Sequence, residues 1–478
     1  MENNSRRDFL KFGSLLAIGF SLPSWGGINK GVHKVDVANA ALGLELSPYI
    51  VIDDLGKIIL YNAKPDVGQG TWQALPMLLA EELEVSMEQI EIRMSDGTAK
   101  FGSQSIGGSN SIRTRWKQMR QAGAAAKEML IKAASAKWQV PENECFAQDG
   151  KIYHKPSNKS FAYAELITDA SKLEVPKNPT LKNPKDFKLL GKSLPRPEIP
   201  SKVNGKAVFG IDATLPNMLY ASIEMPPAIY GKIASFDGAE AMKVRGVKYV
   251  LKTERKMPHY TAEAIAVVAD NYWAALKGRK ALTINWSEED FGKFSTEKYT
   301  EQLREAGKGE GLIYADQTKG DFGKTYAEAT LKTESVYETS HMAHAPLEPE
   351  TATVWVQGEK VEIWASVQSP DGVIKQVSEY FKFKPENIKV NAMFLGGAFG
   401  RKSYIDFVME AVHIAKQVSQ PVKLIWTRED DIKQGPFRPA MLSVMQGTLD
   451  ENKNLSGFNH KQVGDALLRQ LAKMDFKT

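Results

Sequence analysis

Apolar and polar positions first alternate over residues 48–64. Tyr49, Ile50, Val51 and Ile52 precede Asp53-Asp54-Leu55-Gly56, and Ile58, Ile59, Leu60 and Tyr61 follow. Two short β-branched runs around a polar, glycine-bearing turn predict a β-hairpin. The period then changes. Leu75, Leu78, Leu79 and Leu83 share one helical face, so a helix is expected there with Glu81 and Glu82 turned to solvent. Residues 90–94 return to a strand. Ile112, Trp116, Met119, Ala126 and Leu130 have helical spacing, and the small residues 122–126 predict close packing against another element.

Lys and Pro become frequent between Tyr163 and Pro200, a composition that reads as a linker across a domain surface, with a boundary near residue 190. Short strands are expected at 207–211, 219–223, 247–250 and 264–268, with one helix near 272–280. Residues 286–330 are charged and read as an irregular connector. From Lys332 onward strands and helices mix again. The expected fold class is therefore α+β and multi-domain. The expected divisions are a leader over 1–40, a first domain over 41–190, a second over 191–300, a connector over 301–330 and a last domain over 331–478.

Composition narrows the chemistry. The chain has 478 residues, 62 basic against 57 acidic, and a net charge of +5 without a dominant basic block. No nucleic-acid partner is implied. Cys145 is the one cysteine, which excludes an internal disulfide, an iron–sulfur cluster and a thiolate zinc site on this chain. The seven histidines are scattered, so no protein-ligated metal site is expected. A redox cofactor here would have to bring its own metal ligands.

The N-terminus reads Ser5-Arg6-Arg7-Asp8-Phe9-Leu10-Lys11, followed by an apolar run to Leu22 and a small-x-small site at Ala38-Asn39-Ala40. The pattern is that of a twin-arginine export signal. The apolar run is roughly half of the ~20 residues that a membrane span needs. Export by this route suits a protein that folds around a cofactor in the cytoplasm and is sent to the periplasm.

Four short segments carry the candidate chemistry: Gly68-Gln69-Gly70, Gly107-Gly108-Ser109-Asn110-Ser111, Ser366-Val367-Gln368-Ser369-Pro370, and Gly396-Gly397-Ala398-Phe399-Gly400-Arg401. Glycine lets backbone amides approach an anion, and a helix N-terminus favours negative charge. None is a P-loop or dinucleotide fingerprint. Singly, Gly68-Gln69-Gly70 also reads as a tight turn, residues 107–111 as a helix N-cap, residues 396–400 as a bulge or close-packed turn, and Gln368 more readily as a strand-end amide on the surface.

Together and in this order the segments resemble the molybdenum-binding large subunit of the xanthine dehydrogenase/aldehyde oxidase family, most closely its isoquinoline 1-oxidoreductase β-subunit branch. Residues 196–205 (RPEIPSKVNG) resemble the start of that family's hammerhead domain, and Ala343-His344-Ala345-Pro346-Leu347-Glu348-Pro349 the approach to its first molybdopterin-binding domain; Trp426-Thr427-Arg428-Glu429-Asp430-Asp431 follows in family order. The resemblance implies a molybdopterin cytosine dinucleotide whose dithiolene holds the metal. It implies oxidation of N-heterocycles or aldehydes with water-derived oxygen. Electrons would leave to a small 2Fe-2S subunit and onward to an acceptor such as a cytochrome c. It assigns Gln368, Phe399 and Arg401 to the catalytic surroundings of the metal, with Gly396, Gly397, Ala398 and Gly400 beside it. Gly68, Gln69, Gly70 and residues 107–111 (Gly107, Gly108, Ser109, Asn110 and Ser111) would hold the pterin and its phosphates. His344 and Glu348 read as structural. The family's general-base Glu lies in a C-terminal part that this sequence does not match, so the last domain is expected to be incomplete; the alternative to an active subunit is a truncated or non-catalytic remnant.

Overall fold

The computed structural model describes residues 43–53, 55–228, 231–257, 260–287, 294–311 and 319–465. The twin-arginine leader expected from the sequence lies outside these residues. The chain forms two compact units, each discontinuous in sequence. The first holds the residues up to Met218 with Thr351–Ala398 and Val418–Pro421. The second holds Leu219–Glu350, Phe399–Gln417 and the residues from Val422 onward.

The first unit begins with a four-stranded sheet of β1 (Gly43–Ser47), β2 (Ile50–Asp53), β3 (Ile58–Asn62) and β4 (Ile90–Met94). β2 and β3 are the expected antiparallel hairpin, closed by Gly56 in the left-handed region at φ +83°. β3 and β4 run parallel, so the chain must cross over between them, and it does so through α1 (Thr71–Leu83). The leucines of α1 are buried as predicted. α2 (Ser111–Trp138) packs across α1. Gly123 makes that crossing possible, because a Cβ there would lie 2.7 Å from the carbonyl oxygen of Leu79. The expected close approach of residues 122–126 is thus a backbone-to-backbone contact. Ile112 and Trp116, at the start of α2, are exposed, and the helix buries Met119, Ala126 and Leu130 instead.

Glu81 and Glu82 do not face solvent. Their exposures are 1% and 0%. The segment read as a surface linker folds back and uses them. Glu81 accepts hydrogen bonds from the amides of Lys188, Leu189 and Leu190 and from Lys182 Nζ. Glu82 accepts from Arg120 Nε at 2.7 Å and from the amide of Lys182 at 2.9 Å. A carboxylate inside a helix face is tolerable when it collects this many donors.

The rest of the first unit includes strands Thr351–Gln357, Lys360–Ala365 and Ile388–Ala392. The first two are antiparallel and the last two parallel, linked by the helix Pro370–Phe381. The strand expected at 207–211 is absent. Residues Gly210–Asp212 form a single 3-10 turn. The amide of Phe209 is taken by Asp212 Oδ2 and that of Gly210 by Ser366 Oγ, which leaves neither for a ladder.

The second unit contains strands Leu219–Glu224, Val247–Lys256, Thr261–Ala269 and Val422–Ile425. The first three pair antiparallel, and Val422–Ile425 runs parallel to Leu219–Glu224. The helix Tyr272–Lys280 follows, as the sequence predicts. The charged stretch read as irregular contains two helices, Thr296–Lys308 and Phe322–Glu328. Leu303 packs there against Ala440 and Leu442 of a three-stranded antiparallel sheet. Among the described residues no helix is long and apolar enough to cross a membrane. The fold class is α+β and multi-domain.

Candidate functional site

Four loops of the first unit converge, and each is tied to the next by a buried polar contact. Asp66 starts the network. It is 1% exposed. Its Oδ1 accepts from the amide of Gly68 and from Lys202 Nζ, both at 2.9 Å, and its Oδ2 from the amide of Trp72 at 3.1 Å. Burial opposes its ionisation, but Lys202 and the two amides outweigh that and hold the carboxyl below its ordinary value. One side chain thereby fixes the turn Gly68-Gln69-Gly70 and the start of α1. Gly68 and Gly70 sit at φ +96° and +87°, a region that admits glycine without strain.

The backbone of Asp66 extends the network to the last loop, accepting from the amide of Leu395 at 3.2 Å. Phe394 anchors this loop under Trp72, with ring centroids 4.9 Å apart, and under the ammonium of Lys202 at 4.5 Å. Lys64 reaches the second loop, where its Nζ donates to Ser105 O at 2.6 Å. Burial, and then the nearby Arg115, push its ammonium down to about 8. Gln104, fully buried, receives Ser95 Oγ and the amide of Gly97 on its side chain, and its backbone amide donates to Asp371 Oδ2.

Gln368 joins the second and third loops. Its backbone carbonyl accepts from the amide of Ile106 at 2.9 Å, and its Nε2 donates to Ile106 O at 3.2 Å. The side chain is buried and its Oε1 has no hydrogen-bond partner. Beyond Ile106 the chain opens out. Gly107 and Gly108 are exposed, and a Cβ built on either, or on Gly68, would meet nothing within 4 Å. Ser109 takes the left-handed φ of +54°. Asn110, the N-cap of the 28-residue helix α2, keeps its Oδ1 buried and unpartnered.

Within this unit the structure therefore brings together Gly68, Gln69, Gly70, residues 107–111, Gln368, and Gly396, Gly397 and Ala398. Gln69 uses both ends of its amide on its own turn, accepting from Val67 N at 2.6 Å and donating to Pro65 O at 3.0 Å. Its loop therefore offers backbone, rather than the Gln69 side chain, to a ligand.

Phe399, Gly400 and Arg401 belong to the second unit. Phe399 is 63% exposed and held at φ +53°, a strained conformation for a bulky residue. Gly400 packs on His344, whose pKa is lowered by burial and by Arg401 and Arg438. Arg401 is fully buried. Its guanidinium binds both oxygens of Asp406, at 2.7 and 3.0 Å. Glu348 is half of a buried pair with Lys402 at 2.6 Å. Among the described residues no group of three His, Cys, Asp or Glu is arranged to hold a metal ion.

Asp66, Lys64, Gln104 and Asp371 were not singled out by motif, and Lys202 appeared only within the 196–205 segment, with no role at the cradle. The one available signal was position, since Asp66 lies two residues before the Gly-Gln-Gly turn and Asp371 three after Gln368.

The open glycines, tied down by the buried Asp66 and with an unmet amide oxygen on Gln368, leave space for a polar ligand to approach the backbone. Family comparison makes the class specific. Models of the molybdopterin cofactor-binding domain match residues 26–209 and 306–469. The chain therefore carries molybdopterin cofactor-binding domains, and it is similar to large subunits of the xanthine dehydrogenase/aldehyde oxidase family. It is 26% identical over 458 residues to the isoquinoline 1-oxidoreductase β-subunit of Brevundimonas diminuta, covering 85% of this chain and 57% of the relative. It is also 26% identical over 472 residues to a membrane-bound aldehyde dehydrogenase of Gluconacetobacter polyoxogenes, covering 96% of this chain and 60% of the relative. A nicotinate dehydrogenase component of Pseudomonas putida is 23% identical, with 94% of this chain and 37% of the relative covered. The chain thus spans less than two thirds of the length of each of these relatives. Of solved structures, quinoline 2-oxidoreductase from Pseudomonas putida 86 superposes on 57% of this chain, and this chain on 39% of it, with a TM-score of 0.45 and 16% identity.

Proposed function

We propose that this chain serves in the large subunit of an exported molybdenum hydroxylase acting on N-heterocycles or aldehydes. The observation that carries the reading is Gln368. It is a buried amide that clamps Ile106 yet leaves Oε1 unmet at the rim of the glycine cradle. A buried acceptor without a donor is costly, and a cofactor ligand with a donor group would satisfy it.

The residues present fit a molybdopterin dinucleotide. The open glycines at 68, 107 and 108 leave room for it to approach the backbone. The amides at the start of α2 and the Ser109 and Ser111 hydroxyls suit phosphate. These residues would hold the cytosine dinucleotide form. When bound, the group supplies a redox metal held by its own dithiolene sulfurs, so no protein ligand is needed. The chain's own work is to bind and orient. Asp66 and Lys64 fix two loops of the cradle, Gln368 fixes Ile106 against the third, and Phe399 offers an exposed apolar face. Arg401, sealed in its pair with Asp406, acts by holding the turn.

Cys145 is buried, and burial pushes its thiol pKa up. With Cys145 the one cysteine in the sequence, no 2Fe-2S cluster can be held by these residues, and electrons would pass to a partner 2Fe-2S subunit and then to an acceptor such as a cytochrome c. The Arg6-Arg7 leader supports export to the periplasm.

The test is co-expression with molybdenum-cofactor assembly proteins, followed by molybdenum and cytosine-nucleotide analysis of the purified complex. Stoichiometric metal is expected, with Gln368→Ala reducing metal content and turnover by about tenfold, the equivalent of one net hydrogen bond of ~1.4 kcal/mol. A wild-type complex devoid of metal and pterin would instead make this chain a non-catalytic remnant of the fold.

A further inference from the structure

The Phe399–Gly400 turn and the segment that begins at Met342 lie side by side in the second unit. A Cβ on Gly400 would stand 3.6 Å from His344 Nε2. Met342 pairs with Arg438 in an antiparallel bridge, the two residues exchanging amide-to-carbonyl bonds of 2.8 and 3.3 Å. That bridge fixes the backbone of Arg438, whose Nη2 donates to Phe399 O at 3.3 Å. The residue whose carbonyl is taken is the one held at φ +53° with its ring exposed. A bulky residue keeps a left-handed backbone only where its surroundings enforce it, and the Arg438 bond is one such restraint.

Holding the turn occupies only one of the donors that a guanidinium carries. Arg438 is exposed, and among the described residues its side chain makes no other hydrogen bond and no ion pair. The neighbouring arginines differ. Arg401 is fully buried and closed on both oxygens of Asp406. Arg428 is tied to Asp431 and to the carbonyls of Pro346 and Leu347. Glu350, Asp406 and Asp431 are each 3% exposed or less, so none of them screens the Arg438 guanidinium at the surface. His344, beside Gly400, is held toward its neutral form by burial and then by Arg401 and Arg438. The surface at Phe399 thus presents an apolar ring beside a cation that has donors to spare and no counter-ion.

We propose that Phe399 and Arg438 form a subsite for a planar aromatic carboxylate, the ring of Phe399 taking its flat face and the guanidinium of Arg438 its carboxylate. The planar fork of an arginine matches both oxygens of a carboxylate, and such charge-assisted bonds are stronger than neutral ones. Neither group selects by itself. An exposed ion pair is weak, and an aromatic face accepts any flat ring. Side by side they favour a ring acid over its neutral amide. As a statement about substrate this rests on the molybdenum hydroxylase reading above and narrows it: among N-heterocycles and aromatic aldehydes, those bearing a ring carboxylate are preferred. As a statement about binding it stands without the cofactor.

The test titrates para-fluorobenzoate and para-fluorobenzamide against the full chain without cofactor, followed by fluorine NMR line broadening. It is repeated on Arg438→Gln, which keeps an N–H donor for Phe399 O and removes the charge. Wild type should bind the acid about tenfold more tightly than the amide. Arg438→Gln should bind the two alike, and Phe399→Ala should weaken both. Equal affinity of wild type for acid and amide, binding of neither, or a preference that survives in Arg438→Gln would overturn the proposal. If Arg438→Gln does not fold, Arg438→Lys replaces it, keeping the charge without the planar fork; it should lose part of the preference, and a preference equal to wild type would count against the subsite. In the cofactor-loaded complex Arg438→Gln should lower kcat/KM for a ring carboxylate by about tenfold relative to the matching amide. A complex without molybdenum whose chain still prefers the acid would remove the hydroxylase reading and keep the subsite. A loaded complex whose chain shows no preference would do the reverse.

Discussion

Replacing Glu81 with alanine should release residues 180–190 from the first unit. The carboxylate accepts three consecutive backbone amides, those of Lys188 at 3.0 Å, Leu189 at 2.7 Å and Leu190 at 2.9 Å, and Lys182 Nζ at 2.6 Å. Its removal leaves three backbone amides without an acceptor, while Lys182 Nζ keeps Glu84 at 2.7 Å. Charging about 1–3 kcal/mol to each would overshoot, because a detached segment regains water. The loss is therefore capped by the docking energy of the segment, and about 3–5 kcal/mol, as for a broken buried pair, is the expected scale. Glu81→Gln retains volume and one acceptor and should lose less, about 1.5–3 kcal/mol. Limited trypsin digestion reads the opening directly, since Lys182, Lys185 and Lys188 lie in the segment. Where reclosing outpaces cleavage, an opening eased by ~3 kcal/mol raises the cleavage rate by about a hundredfold. The pH dependence adds a second check. Burial opposes ionisation of Glu81, but Lys182 and the three amides prevail and keep its pKa below the ordinary value. Protection is thus complete above the unfolded carboxyl value of about 4.3 and lost as pH falls through the folded one. Glu81→Gln has no such acid loss. Cleavage of Glu81→Ala within about threefold of wild type, worth only ~0.6 kcal/mol, would refute the reasoning.

Gly123→Ala should destabilise the first unit, although alanine is the better helix former by about 1 kcal/mol. The added Cβ would lie 2.7 Å from Leu79 O and 2.9 Å from Glu82 Cβ, and overpacking of about 1–3 kcal/mol outweighs the propensity gain; a melting temperature equal to or above wild type would contradict it. Glu410, fully buried, has its pKa pushed up to about 7 by burial, against the pull of Arg255. Its contribution of roughly 3 kcal/mol is full below the unfolded carboxyl value of about 4.3 and is lost progressively as pH rises from there through about 7. Urea midpoints of Glu410→Gln should therefore fall less between pH 5 and pH 8 than those of wild type, and parallel profiles would count against the assignment.

Elements governed by local pattern were legible. The hairpin of β2 and β3, the leucine face of α1, β4 and the helix Tyr272–Lys280 all follow from spacing within a dozen residues. The strand expected at 207–211 failed because its amides are claimed by Asp212 and by Ser366, the latter 156 positions away from Gly210. The helix Thr296–Lys308 was hidden by its charge. Only Leu303 is buried on it, and a single apolar stripe among ionised residues reads as a connector.

The candidate site divides along the same line. Its glycines were legible because a backbone that approaches a ligand needs small residues in any context. Its supports were not, because a buried carboxylate and a surface carboxylate are the same letter. Asp66 takes its ammonium from Lys202 and Glu81 from Lys182, each partner roughly 100–140 positions further along the chain. Such acids cost free energy to bury and are retained only where each gathers donors that nothing else could orient together. That makes them the places where distant segments are forced into register. Asp66, with Gly68, Trp72, Lys202 and Leu395 all bonded to one residue, is then the point at which the cradle is assembled, and the glycines only line what it holds.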